Sequence, residues 1–235
     1  MPDKIKIRDL SLTFSLTDRK VEVFNSFNLD IDPKDFTVIL GRSGCGKTTL
    51  LRLLAGLLKP SSGSIEMPGE ISPGLMFQEA RLMPWLTCEK NIALGLKEPD
   101  PKQIQEILEL VGLKGFEKAY PNQLSGGMQQ RASLARTLIR HSNLILMDEP
   151  FAALDAFTRE SMQKELLRIR SQRDCGVILV THNIDEALML ADRIVLLSGG
   201  ESLKEYVMPC RDCVRDILTE PYISYKKEIQ NLIRR

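Results

Sequence analysis

Three stretches in immediate succession constrain the fold of this chain more than anything else in it: Phe36-Thr-Val-Ile-Leu40, Gly41-Arg-Ser-Gly-Cys-Gly-Lys-Thr48 and Thr49-Leu-Leu-Arg-Leu-Leu-Ala-Gly-Leu-Leu58. The first reads as a buried strand and the last as a helix, while the middle one meets G-x-x-x-x-G-K-[ST] at every fixed position. A strand–loop–helix unit of this kind belongs to an α/β fold. Gly41, Gly44 and Gly46 let the backbone curl so that successive N–H groups point inward at phosphate oxygens, and the helix adds its positive end. Gly41, Arg42, Ser43, Gly44, Cys45, Gly46, Lys47, Thr48 and Thr49 are therefore the expected phosphate-binding residues. Lys47 would reach the β- and γ-phosphates of a nucleotide, and the Thr48 hydroxyl would ligate Mg²⁺.

Four further segments carry candidate chemistry. Leu124-Ser-Gly-Gly-Met128 opens a helix-like stretch with Met128, Ala132, Ala135 and Leu138 or Ile139 at helical spacing, so Ser125 reads as its N-cap. A Ser cap followed by two glycines suits an anion, but by spacing alone it is equally an ordinary capped helix. Asn143-Leu-Ile-Leu-Met147 reads as a buried strand ending in Asp148-Glu149. Carboxylates at the C-terminal end of a parallel strand lie where open α/β sheets bind ligands. Asp148 would hold Mg²⁺, directly or through water, and Glu149 would take a proton from the attacking water. Adjacent carboxylates beside a triphosphate repel one another without a metal, which is why Mg²⁺ is expected. Gly176-Val-Ile-Leu-Val-Thr181 is strand-like and ends in His182, one of two histidines in the chain. A lone histidine serves a fold as readily as a reaction; His141 lacks such a position and reads as structural. Gln78 follows the apolar Gly74-Leu-Met-Phe77.

Combined with the phosphate loop, Leu124-Ser-Gly-Gly127 resembles the signature of the ATP-binding-cassette (ABC) ATPases, and the resemblance runs over at least residues 5–200. It implies ATP and Mg²⁺ as cofactors and a homodimer. In that family Ser125, Gly126 and Gly127 of one subunit would close over the γ-phosphate held by the loop of the other. His182 corresponds to the switch histidine that contacts the γ-phosphate. Gln78 corresponds to the Q-loop glutamine that reaches Mg²⁺ or the attacking water. Pro150 and Ala153-Leu-Asp155 resemble the D-loop, which crosses to the opposite subunit. Phe14 falls where the family places an aromatic ring under adenine, and Phe stacks there as well as Tyr; without the resemblance it is part of a strand's apolar face. The catalytic set is then Lys47, Gln78, Glu149 and His182, and the metal set Thr48, Gln78 and Asp148.

The 235 residues are 43% apolar, enough for a packed core of one or two domains. With 32 Lys and Arg against 31 Asp and Glu, a formal charge of +1 gives no broad field for nucleic acid. No signal segment opens the sequence, and the longest apolar run is too short to span a bilayer. A cytosolic chain is expected, reaching the cytoplasmic face of a membrane only through a partner. Five cysteines, an odd number, argue against structural disulfides, and Cys210-Arg-Asp-Cys213 lacks the second pair that a zinc site needs. Cys45, among inward N–H groups beside Lys47, is expected to have a lowered thiol pKa.

The expected architecture is a P-loop NTPase core of the ABC type, α/β, at about 1–84 and 139–205. Alternating residues in 1–32 add an antiparallel β subdomain. A helical subdomain is inserted at about 85–138, including a helix capped by Asp100-Pro101 and ended by Gly112, and an amphipathic tail covers 206–235. A single compact cassette resembles the ATPase subunit of a prokaryotic importer, whose permease and solute-binding protein are separate chains. Met76-Phe-Gln-Glu-Ala-Arg-Leu-Met-Pro-Trp-Leu-Thr87 and Asn91-Ile-Ala-Leu-Gly95 look like the nitrate, sulfonate and taurine branch, in which this segment faces the permease. Trp85 is either part of that docking groove or a core residue. A non-transport ATPase acting on a soluble partner is the alternative function.

Overall fold

The computed structural model describes residues 4–15, 17–69, 71–140, 142–152, 154–172, 175–210 and 215–234; His141, Ala153 and Cys213 lie outside them. The N-terminal alternation folds as β1 (Ile5–Ser15) and β2 (Lys20–Ile31), an antiparallel pair joined at β1's other edge by β4 (Ser62–Glu66). The larger sheet has six strands in the order β5-β6-β7-β3-β8-β9. Its members are β3 (Phe36–Gly41), β5 (Pro73–Met76), β6 (Leu144–Asp148), β7 (Gly176–Thr181), β8 (Arg193–Ser198) and β9 (Glu201–Val207). All neighbours are parallel except the final pair.

The three central strands are buried along their whole length, as a parallel sheet covered on both faces requires. Alternate residues feed two cores. Val38, Leu40, Ile145 and Met147 face one of them, which also takes in α4 (Gly126–Leu138), α5 (Ala156–Gln172) and α6 (Ile184–Leu190). Ile39, Leu144 and Leu146 face the other, shared with α1 (Lys47–Leu54) and the apolar side of the β1–β2 sheet. The first helix is shorter than the apolar run suggests. Gly56 turns left-handed (φ 69°), the Leu57 amide folds back onto the Arg52 carbonyl at 2.9 Å, and Leu57 is left exposed.

Between the sheets' contributions lie α2 (Cys88–Ile92) and α3 (Pro101–Leu110), packed on α4. The Asp100 side chain caps α3 by accepting from Lys102 N, and Gly112 ends it at φ 66°. Beyond β9, α7 (Tyr222–Arg234) packs on α6 and buries Tyr222 and Ile229. Buried Arg215 anchors the approach to α7: it donates to Ala191 O at 2.5 Å and lies 3.6 Å from Asp192. The same carboxylate accepts from Arg170 at 2.5 Å and from Phe36 N at 2.9 Å, so one buried acid ties α5, the start of β3 and the segment before α7 together. Cys210 is disulfide-bonded, against the expectation from the cysteine count. An odd number of cysteines forbids complete pairing but leaves room for one bridge.

Candidate functional site

Strand order brings the predicted residues together. Leu40 pairs with Thr181 across β3–β7, and Asp148 with Val180 across β6–β7, so Gly41, Asp148 and His182 emerge at one end of the sheet. Ligands of open α/β sheets bind at this C-terminal edge. Gly46, the residue before α1, has φ 104°, a backbone region in which an L side chain is strained. A Cβ there would also come within 2.9 Å of the Phe24 ring. No side chain caps α1, so the first-turn N–H groups face the loop's concave side without an intrachain acceptor from a capping residue. Such a helix start is built for an anion.

Lys47 is buried, and its Nζ donates to the carbonyls of Gly41 and Arg42, both at 2.9 Å. Thr48 Oγ1 donates to Asp148 Oδ1 at 3.0 Å. Burial pushes the Asp148 carboxyl above its ordinary range; the Thr48 hydrogen bond opposes this, and neighbouring Glu149 adds to it. A hydroxyl and a carboxylate in hydrogen-bond contact beside a phosphate loop form a hard-oxygen donor set that fits Mg²⁺.

Glu149 adopts φ 45°, unusual for a residue with a side chain. Its amide is tied to Val180 O at 3.0 Å, and Oε1 lies 3.0 Å from His182 Nδ1. Thirty-three positions apart in sequence, these two residues meet because β6 and β7 are neighbours. Gln78 lies two residues beyond β5, its carbonyl held by Gln130 Nε2 at 3.0 Å. Arg136 secures the next turn through the Ala80 and Arg81 carbonyls, so α4 holds the whole 78–81 loop.

Other predicted residues stand apart from this cluster. Ser125 caps α4, its Oγ accepting from Met128 N at 3.2 Å, and Ser125 and Gly126 are exposed. No hydrogen bond or ion pair among the described residues joins 125–127 to the phosphate loop. Arg42 and Ser43 are exposed on the loop, and Thr49 is half-buried on α1. Phe14 is partly exposed on β1 opposite Val21, on the same hairpin whose Val23 and Phe24 underlie Gly46. Those two residues were not legible as part of the site, because in sequence they are merely an apolar patch of β2.

Cys45 corrects the sequence-based expectation. Burial raises its thiol pKa, and this outweighs the lowering by Lys47 and by backbone N–H groups. The half-buried thiol packs against the apolar core that α1 and the β1–β2 sheet share. Maleimide labelling of Cys45 in the native chain is therefore expected to be slow at pH 7 and to keep accelerating beyond the pH at which a free thiol levels off. Labelling as fast as in the denatured chain would show the thiolate to be exposed. Cys88, pushed up to about 11 by burial, should be slower still.

Known proteins place this geometry. The chain is 41% identical over 247 residues to an uncharacterized ABC transporter ATP-binding protein of Methanocaldococcus jannaschii, covering 100% of this chain and 92% of that one. It is 47% identical over 200 residues to the aliphatic sulfonates import ATP-binding protein SsuB of Bacillus subtilis, covering 81% and 78%. The taurine import ATP-binding protein TauB of Pelagibacter ubique is 41% identical over 233 residues, with 91% and 88% covered. Among solved structures, an ATP-binding cassette captured as a dimer in a post-hydrolysis state with ADP and Pi superposes with a TM-score of 0.79 at 29% identity, covering 88% of this chain and 99% of that one. Residues 24–152, which include the phosphate loop, the capped turn at 125–127 and the Asp148–Glu149 pair, match the ABC transporter family. The chain belongs to that family, as one of its ATP-hydrolysing cassettes.

Proposed function

We propose that this ATPase is the energy-coupling subunit of an importer for a small organic sulfonate or a related solute. The observation that carries the reading is the meeting of Thr48, Asp148, Glu149 and His182 at the mouth of a phosphate loop. Relatives named for aliphatic sulfonate and taurine import supply the direction of transport and the class of solute.

In this reading the N–H groups of residues 41–49 and Lys47 Nζ bind the phosphates of ATP, Lys47 exchanging its two loop carbonyls for phosphate oxygens. Thr48 and Asp148 hold Mg²⁺, with Gln78 reaching the same ion or the attacking water. The metal, when bound, neutralises charge on the β- and γ-phosphates. Glu149 removes the proton of the attacking water, and His182 orients Glu149 and contacts the γ-phosphate. Phe14 stacks on adenine. Ser125, Gly126 and Gly127 act on the nucleotide of a second copy, consistent with their separation from the chain's own loop. A permease and, through it, a solute-binding protein complete the machine. No helix among the described residues is long and apolar enough to cross a membrane, so attachment at the cytoplasmic face falls to the permease.

Trp85 supports the docking half of this reading. It is 70% exposed, which removes the alternative of a core residue of the helical region. An open cavity of about 560 Å³ beside β5 is lined by Phe77, Leu96, Arg136 and Arg140 among others but not by Trp85, so docking at Trp85 rests on the exposure of its ring. Trp85→Ala should leave melting temperature and basal ATPase nearly unchanged yet cost about 2 kcal/mol or more in permease binding. A large drop in melting temperature with binding preserved in the folded fraction would remove Trp85 from docking. The function itself is tested in proteoliposomes holding this chain and a multi-span permease that co-purifies with it. ATP-dependent uptake of taurine or an alkanesulfonate is expected. Association with a soluble partner alone would favour the non-transport alternative.

A further inference from the structure

One buried acid near the site has no part in the chemistry above. Glu186, on the first turn of α6, is nearly inaccessible, with 7% of its side chain exposed. Its Oε2 accepts from Thr181 Oγ1 at 2.7 Å, and Thr181 Oγ1 accepts in turn from Asn183 N at 3.0 Å. Asn183 Oδ1 then accepts from the Asp185 and Glu186 amides at 2.9 and 3.3 Å. The residues on either side of His182 are thus fastened to one another and to Glu186, and His182 is the residue of this turn that reaches Glu149.

On its other side Glu186 faces α5. Arg159 Nε lies 3.8 Å from Glu186 Oε1, longer than a hydrogen bond, and that buried Nε has no hydrogen-bond partner. Arg159 Nη2 donates to Leu154 O at 2.9 Å. Leu154 packs against the start of α4: a Cβ on Gly127 would sit 3.2 Å from Leu154 Cδ2. A chain of neighbouring groups therefore runs from Gly127 through Leu154, Arg159, Glu186 and Thr181 to His182 and Glu149. Its open link is the Arg159–Glu186 pair, which a displacement of under 1.5 Å, on the order of the gap between 3.8 Å and an ordinary charged hydrogen bond, would close. The two charges already form an ion pair at 3.8 Å without a hydrogen bond, a geometry that can still tighten.

We propose that Arg159 and Glu186 are positioning residues that couple the 125–127 turn to the His182–Glu149 pair of the same chain. Pressure on Gly127 moves Leu154, the Leu154 carbonyl carries Arg159 onto Glu186, and the closed ion pair sets the turn that aims His182. This rests on the reading that 125–127 engages a second copy's nucleotide; one ATP site then reports its occupancy to the other.

The test uses the full chain with Mg-ATP. Glu186→Gln keeps the size and the acceptor for Thr181 but removes the charge that Arg159 meets. Arg159→Gln removes the cation. Each is expected to lower kcat by about 10- to 100-fold, the usual consequence of a reacting group held slightly out of place, with KM for ATP and melting temperature little changed. The double variant should be no slower than the slower single one, and the Hill coefficient for ATP should fall toward one in all three. Wild-type kcat and cooperativity in folded Glu186→Gln would overturn the proposal, as would single losses that multiply in the double variant. Because melting temperature is read alongside, a kcat loss that only follows loss of folded protein also counts against it. Failure of the functional reading looks different: the wild-type chain itself would show no Mg-ATP hydrolysis.

Discussion

Glu149→Gln should bind ATP as the wild type does while hydrolysing it roughly 10²–10⁴-fold more slowly, the usual contribution of a general base. The amide is close to the carboxylate in shape, and the strained backbone at φ 45° is held independently by the Val180 carbonyl. His182 can still find an oxygen to bond. What disappears is the acceptor for the water's proton, so the loss belongs to the chemical step. The variant should also accumulate as an ATP-bound dimer, seen as a shift to larger mass on a sizing column. Turnover near that of the wild type would take Glu149 out of the role.

The phosphate loop was legible because its function needs particular residues at fixed spacing along a continuous stretch: a left-handed Gly46, then Lys47, then Thr48. Helix ends marked by local signals were legible for the same reason, as with Asp100 before α3 and Ser125 before α4. The contact between Glu149 and His182 was not legible, because it depends on β6 and β7 lying side by side, which no local pattern states. Side-chain direction inside the loop was not legible. Spacing places Cys45 among phosphate-facing amides, yet its thiol turns toward the core, and burial rather than Lys47 decides its pKa. No local pattern singles out Glu186. Its burial is set by α5, far away in sequence, together with Thr181 at the strand end just before it. The C-terminal residues were read as a tail because nothing local announces that Arg215 joins the Asp192–Arg170 cluster and that Tyr222 and Ile229 enter the main core.

Ser125→Arg should abolish hydrolysis while leaving ATP binding by the monomer nearly intact. The fold tolerates the change on magnitudes alone. Losing the Ser125 cap on Met128 N costs about 1 kcal/mol, and a cation at a helix N-terminus adds roughly 0.3–1 kcal/mol, both small beside the roughly 5–15 kcal/mol that holds an ordinary domain. Ser125 is exposed, so the longer side chain meets no core. Within one chain the substitution touches nothing that binds phosphate, since no described hydrogen bond or ion pair links 125–127 to residues 41–49. Across a head-to-tail pair the same side chain would fill the space that the partner's γ-phosphate needs at the start of α4. The two readings of the turn therefore diverge sharply: an ordinary capped helix predicts a slightly less stable enzyme with normal turnover, and a site shared between copies predicts a folded, nucleotide-binding protein that does not turn over. Wild-type activity should also rise faster than linearly with protein concentration, because the competent species is then a dimer. Strictly linear activity at low concentration, together with turnover in Ser125→Arg, would mean that a single chain completes the site and that the glycines at 126 and 127 serve only the helix they open.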